Sequence, residues 1–371
     1  MNRFQREITY IGTVVASGLI IGYALAWPWG GYPRGDDAVY WANMAKMIAR
    51  NPSYYLWSPD AYLGWQPFAV ISPLAYSLIA SLSNLSGVGV ADLFQFCFAA
   101  CVLLTGISIY CLSRLLQVPR LLSAGFAIFL WLTPSYWSMS IGGGTYDRVW
   151  YFPLIFFSVC AAYLQVRSIN SGNTRIGIHA VAFVTLALLG ISDLYDFLVA
   201  LFFLVPLYLI GIQGIRQATS WLLRMFIGVA SVDAWFLVPS AAGILHRTSQ
   251  SGSLHEATLN PISWLVWPTQ KFSWAFSHAL NPLYIPVAAL SVFLAYLSGQ
   301  IFHVQRPKLA LFVGAYIATS YFLVTGWAYV PSSLRLMAAY SSGDWIAFTL
   351  VVLIASGFGL FFTSKRSRRI S

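Results

Sequence analysis

The chain has 371 residues, of which 58% are hydrophobic, 17% aromatic and only 9% charged, with a formal net charge of +10. Soluble domains carry roughly 25% charged residues, so this composition excludes an ordinary soluble enzyme and points to an integral membrane protein. The positive surplus is not a nucleic-acid signature, because the basic residues stand singly or in pairs between apolar runs, as topology determinants do.

In chain order, the start Met1-Asn2-Arg3-Phe4-Gln5-Arg6 precedes an apolar run at 8–27 that lacks a small-residue cleavage site, which reads as a retained signal anchor. Nine further runs are predicted to span: 93–112, 121–139, 149–166, 176–191, 194–212, 221–245, 283–302, 309–327 and 345–362. The fold expected is an all-α bundle of about ten transmembrane helices, one polytopic domain over 1–371 with no soluble domain. The run 176–191 is short for a bilayer. Cys97, Cys101, Cys111 and Cys160 all fall in apolar runs without metal-like spacing and read as buried thiols.

The stretch 68–85 is ambiguous, since it is apolar but contains Pro73 and several serines. Basic residues decide its role. If it stays at the outer surface, Arg3, Arg6, Arg114, Arg120, Arg167, Arg175, Arg216, Arg224, Arg306, Lys308, Lys365, Arg366, Arg368 and Arg369 are inside, 14 of the 21 Lys and Arg. If it spans, only 6 of the 21 are inside. The positive-inside bias selects the first arrangement. Both termini are then cytoplasmic, 30–89 is a first outer loop with juxtamembrane helices, and 246–282 is a long outer loop.

The acids sort the other way. Of 11 acidic residues, Glu7 is at the inner surface and Asp233 lies within a span. Asp36, Asp37, Asp60, Asp92, Asp147, Asp193, Asp196, Glu256 and Asp344 fall at or near the outer face. Acids contribute little to topology, so a functional site on that face is the better explanation.

The first constellation is Gly35-Asp36-Asp37. Asp36 can cap a helix reaching to about Arg50, with Asp37 in its first turn. Tyr40, Trp41, Met44, Met47 and Ile48 fall on one face of that helix and Asn43, Lys46 and Arg50 on the other, the pattern of an interfacial helix. One acid suffices for a cap, which leaves Asp37 for chemistry; the plain alternative is that both acids only cap. The second is Gly142-Gly143-Gly144-Thr145-Tyr146-Asp147-Arg148, where a carboxylate could join Asp36 or Asp37 around a divalent cation, Mg or Mn, or form a simple turn. Ser192-Asp193-Leu194-Tyr195-Asp196 is a third, reading either as an acceptor side or as solvated acids at a membrane edge. Asp233 is costly within a span unless paired or facing a wet cavity. Arg335 runs against the topology bias and suits a phosphate, or snorkels. His246, His255 and His278 have no HxxxH-type spacing, which disfavours zinc. Asn84-Leu85-Ser86 matches a glycosylation sequon.

These segments together resemble the GT-C superfamily, multi-span glycosyltransferases that take sugars from polyprenyl-phosphate or -diphosphate donors on the non-cytoplasmic face. Gly35-Asp36-Asp37 is similar to the acidic motif of their first outer loop. Gly64-Trp65-Gln66-Pro67 with Pro73-Leu74-Ala75-Tyr76 looks like the G-x-P and P-L-x-Y features that follow it. Gly144-Thr145-Tyr146-Asp147 is similar to the G-S-Y-D segment in the membrane region of oligosaccharyltransferase catalytic subunits, whose Asp helps bind the metal. Pro331 through Arg335 looks like the late P-x-x-x-R segment of membrane proteins labelled as related to 6-pyruvoyl-tetrahydropterin synthase. Two departures stand out: Asp147 is followed by Arg148 with no second acid, and Ser192-Asp193 stands where many relatives have a histidine.

The resemblance implies an inverting, metal-assisted glycosyltransferase of the cell membrane, active on the outer face, with a polyprenyl-linked sugar donor and the bilayer as partners and no nucleic acid. Asp37 and Asp36 would be catalytic, Asp37 and Asp147 metal-binding, Arg148, Arg335 and Tyr146 phosphate- or donor-binding, and Asp193 and Asp196 on the acceptor side. The alternatives are a catalytically silent GT-C-like subunit scaffolding a membrane complex, or a transporter of a lipid-linked substrate that uses Asp233.

Overall fold

A computed structural model describes residues 3–26, 38–51, 74–133, 146–172, 175–192, 194–250, 284–298, 305–327 and 343–368. Among these residues there are twelve helices and no strand. They are α1 (Arg3–Ala26), α2 (Ala38–Arg50), α3 (Leu74–Ser86), α4 (Val90–Leu115), α5 (Arg120–Trp131), α6 (Tyr146–Asn170), α7 (Ile176–Gly190), α8 (Leu194–Leu209), α9 (Ile215–Gln250), α10 (Tyr284–Leu297), α11 (Arg306–Trp327) and α12 (Gly343–Arg368). By length and apolarity alone, four described segments qualify to cross a membrane: Val90–Leu115, Tyr151–Asn170, Ile215–Val238 and Ile346–Thr363. Four more, Arg120–Trp131, Ile176–Gly190, Asp196–Leu209 and Tyr284–Leu297, are apolar but shorter. The described residues are helical, and the chain is an integral membrane protein.

Two helices form its centre. The apolar windows of α6 and α12 are each 78% buried, against 22% for α9, which therefore lies at the edge of the bundle. α6 packs on α4, α7 and α8, and α12 packs on α10 and α11. Phe348 of α12 sits in a ring cluster with Phe156 (4.4 Å), Phe203 (5.4 Å) and Phe152 (6.2 Å), which ties α12 to α6 and α8. Lipid tails are as apolar as these side chains, so close packing, rather than escape from water, holds such an interface. Small residues allow it: the Trp131 ring fills the space that a Cβ on Gly18 of α1 or Gly106 of α4 would take. Around the bundle, large apolar side chains such as Phe96 and Ile176 stand exposed, as a lipid-facing surface requires.

The helix ends alternate, and the polar contacts show which ends lie together. Glu7 near the start of α1 pairs with Arg114 at the end of α4 (3.0 Å) and Arg120 at the start of α5 (2.8 Å). Lys308 at the start of α11 donates to Oε1 of Gln117 in the α4–α5 turn (3.1 Å) and to the hydroxyl of Thr363 near the end of α12. Gln117 makes that turn in the left-handed region, at φ +69. Asn170 at the end of α6 donates to the carbonyl of Gly211 (2.8 Å) and accepts from the amide of Gln213 (3.0 Å), in the α8–α9 turn. These residues define a basic end of the bundle. α1 leaves it and α4 returns to it, so the segment between them, with α2 and α3, begins and ends at the opposite end.

Candidate functional site

The opposite end gathers the acids. Among acidic residues with a described backbone, Glu7 alone is at the basic end. Asp92 is in the first turn of α4 and Asp196 in the first turn of α8. Asp147 and Asp344 are the second residues of α6 and α12, helices whose far ends lie at the basic end. Asp233 sits on α9 level with Gly190, the last residue of α7.

α2 leads into this end. It starts at Ala38, directly after Asp36 and Asp37, which lie outside the described residues. Its buried side is Ala42, Met44, Ala45 and Ile48, and Asn43, Lys46 and Arg50 are exposed. α2 packs on α3, and Nδ2 of Asn84 donates to the carbonyl of Ala49 at 3.0 Å. The sequon asparagine therefore joins the two short helices.

Tyr146, Asp147 and Arg148 make the first turn of α6; their backbone is described and their side chains lie outside the described set. Arg335 and Asp193 also lie outside the described residues. Asp196 is 1% exposed, so it is no solvated acid at a membrane edge. The preceding Ser192 is buried as well, its hydroxyl donating to the carbonyl of Leu189 at 2.9 Å. Among the described residues, no three His, Cys, Asp or Glu side chains come together as a metal set.

Three features of the structure lay beyond the sequence expectations. The sequence puts Glu7 at the inner surface and names no partner for it. In the structure burial alone would push its carboxyl up. Hydrogen bonds from Arg114 and Tyr110 and the charges of Arg114 and Arg120 outweigh that and hold it down at about 2. Lys308 is buried beside Arg167, and burial first, then Arg167, bring its ammonium down to about 7. Asp233, whose partner was not nameable from the sequence, faces a glycine instead of a base. The signal for that last contact was a glycine, Gly190, closing a helix next to an acidic turn. The four cysteines are free thiols, Cys160 buried and the others half-buried.

No model of a known protein family matches the chain, and no curated protein matches it. Solved structures do. The oligosaccharyltransferase of Archaeoglobus fulgidus, tethered to an acceptor peptide with an NVT sequon, aligns with 99% of this chain at a TM-score of 0.64 and 14% identity. Its apo form aligns with 98% of this chain at a TM-score of 0.60 and 13% identity. The same organism's oligosaccharyltransferase AglB, in complex with an inhibitory peptide and a dolichol-phosphate, aligns with 99% at 0.57 and 13%. Each alignment covers 51% of the solved chain, so the protein spans about half the length of the proteins it resembles. At this identity the likeness is one of architecture: the chain shares the helical fold of the aligned half of an archaeal oligosaccharyltransferase.

Proposed function

We propose that this chain is a GT-C membrane glycosyltransferase that moves a sugar from a polyprenyl-phosphate-type donor to an acceptor at the end of the bundle opposite the basic cluster. The observation that carries this reading is the segregation of acids to that end, in a fold shared with an oligosaccharyltransferase whose complex holds dolichol-phosphate. In this reading the helices cross about ten times, both termini are cytoplasmic and the acidic end faces outward. α2 and α3 lie at the outer surface, which is supported by α1 and α4 sharing the basic end through Glu7 and Arg114.

Asp36 caps α2 and leaves Asp37 at the mouth of the site, where its carboxylate accepts the proton of the acceptor nucleophile. That attack displaces the lipid phosphate with inversion at the sugar carbon. A divalent cation, Mg or Mn, held by Asp37 and Asp147, would neutralise charge on the leaving phosphate. Arg148, Arg335 and Tyr146 contact the donor phosphate, and arginine suits that task because its planar fork matches phosphate oxygens. Asp193 and Asp196 line the acceptor side, and the segment 246–282 covers the site during transfer.

The test is release of polyprenyl phosphate by the purified chain. Asp37→Asn and Asp147→Asn are expected to lower it at least about a hundredfold, the usual scale for a general base. Folded variants with full activity would sink the proposal. A structure with Asp36 and Asp37 both more than about 10 Å from Asp147 would exclude a shared cation, because carboxylate ligands approach to ~2–2.6 Å.

A further inference from the structure

α8 and α11 run antiparallel, since α8 ends at the basic end and α11 starts there. They pack closely at one level. Gly314 of α11 lies so near α8 that a Cβ on it would meet the carbonyl oxygen of Phe202, the Cα of Phe203 and the Pro206 ring. Toward the basic end the two helices part, and a cavity of about 400 Å³ opens between them. Leu209, Ile210, Ile212 and Ile215 line it from the α8–α9 turn, and Arg306 and Leu309 from the first turn of α11. Ile210 and Ile215 are exposed, so the cavity reaches the surface.

Its walls are apolar and its one charged side chain is a half-buried arginine. Arg306 makes no hydrogen bond or ion pair with a described residue. The charges near it are already engaged. Lys308 gives its ammonium to Gln117 and Thr363, and Arg114 and Arg120 hold Glu7. Glu7 is also the one acid with a described backbone at this end, so no described carboxylate is left to balance Arg306. The cavity adjoins two helix starts. The carbonyl of Gly214 accepts from the amide of Ala218, and that of Gln305 from the amides of Lys308 and Leu309. The positive poles of α9 and α11 therefore reinforce the guanidinium.

This combination selects among ligands. A soluble anion would satisfy the guanidinium and leave the apolar walls wet. A neutral lipid would cover the walls and leave the guanidinium without a counter-charge. An anionic phospholipid does both, because a phosphate matches the planar fork of arginine and the glycerol and first methylenes match the walls. The volume falls in the ~300–1,000 Å³ range of small-ligand sites, which suits a headgroup and its glycerol with the acyl chains running out along the bundle. The end of a membrane bundle is the level of the headgroups, and basic pockets between spans take anionic ones.

We propose that the cleft between the α8–α9 turn and the start of α11 binds an anionic phospholipid, with its phosphate on Arg306 and its glycerol region against Leu209, Ile212 and Leu309. The lipid wedges in where α8 and α11 part and ties the start of α11 to the α8–α9 turn. This assignment rests on the chain being a membrane protein and not on the glycosyltransferase reading.

The experiment is native mass spectrometry of the full-length chain in detergent micelles doped with dioleoyl phosphatidylglycerol or dioleoyl phosphatidylcholine. The wild type is expected to retain phosphatidylglycerol in preference to phosphatidylcholine. Arg306→Gln should weaken that retention about fivefold, the scale of one basic residue at a membrane surface. Leu209→Trp, which fills the cavity and keeps every charge, should lower it as well. Arg175→Gln removes an exposed charge from the same end, at the start of α7, and should leave retention unchanged. Equal retention of the two lipids by the wild type, or wild-type retention in folded Arg306→Gln or Leu209→Trp, would overturn the proposal. So would an equal loss in Arg175→Gln, the mark of a diffuse positive surface, or displacement of the lipid by free glycerol phosphate, the mark of a soluble-anion site. If Leu209→Trp does not yield folded protein, Arg306→Gln against Arg175→Gln decides between the same outcomes.

Discussion

The two ends of the bundle treat charge in opposite ways. At the basic end, Glu7 and Lys308 are satisfied within the chain: Glu7 by Tyr110, Arg114 and Arg120, Lys308 by Gln117 and Thr363. At the other end, Asp233 is fully buried with both oxygens unpartnered. A satisfied ion cluster rigidifies the structure around it, whereas an orphaned acid is costly at membrane depth. One end ties its helices together through satisfied charges, and the other keeps a buried acid without a hydrogen-bond partner.

Substitutions should separate these roles. The largest effect is expected at the acidic end and on activity alone: Asp37→Asn or Asp147→Asn loses at least about a hundredfold in polyprenyl phosphate release, with the thermal midpoint kept. Next comes packing. Gly106→Val drives a side chain into the Trp131 ring and is expected to cost about 1–3 kcal/mol, read as a lowered thermal midpoint in detergent.

Glu7→Gln is expected to cost about 1 kcal/mol after allowance for solvent screening, with transfer activity unchanged. The sign follows from the depressed pKa. The contribution of Glu7 is present above its unfolded value near 4.5 and is lost as pH falls toward about 2, so acid should destabilise the wild type more than the variant. Lys308 runs the other way. Its pKa is lowered to about 7, so burying the charge penalises the folded state fully below pH 7, and the penalty is relieved as pH rises toward the unfolded value of 10.5. Lys308→Met should flatten that rise in a pH series of thermal midpoints. The smallest effect is at Asp233. Without divalent ions, Asp233→Asn should shift stability by less than about 0.5 kcal/mol or raise it, since it removes no hydrogen bond made within the chain. A loss as large as that of Glu7→Gln would erase the contrast between the ends.

Much of the architecture was legible in the residues, because its cause is one-dimensional. Apolar length and charge depletion mark membrane helices wherever they occur, and the stretch that follows Asp36-Asp37 is helical over Ala38–Arg50. Lengths were less legible. The run 121–139 shows a described helix only over Arg120–Trp131, and 221–245 belongs to a helix that begins at Ile215 and ends at Gln250. Helix ends depend on caps and packing, whereas hydropathy reports only the apolar stretch between them.

The sequence by itself determined the class of the protein, the order of its helices and the separation of basic from acidic residues, since each follows from composition read along the chain. Only the tertiary structure decided which polar residues meet. Glu7 and Arg114 are 107 positions apart, and Lys308 and Gln117 are 191 apart. Asp233 and Gly190 touch because α9 lies parallel to α7, with Gly228 admitting the Phe183 ring below them. Such pairings follow from the three-dimensional arrangement of helices, and no local pattern encodes them.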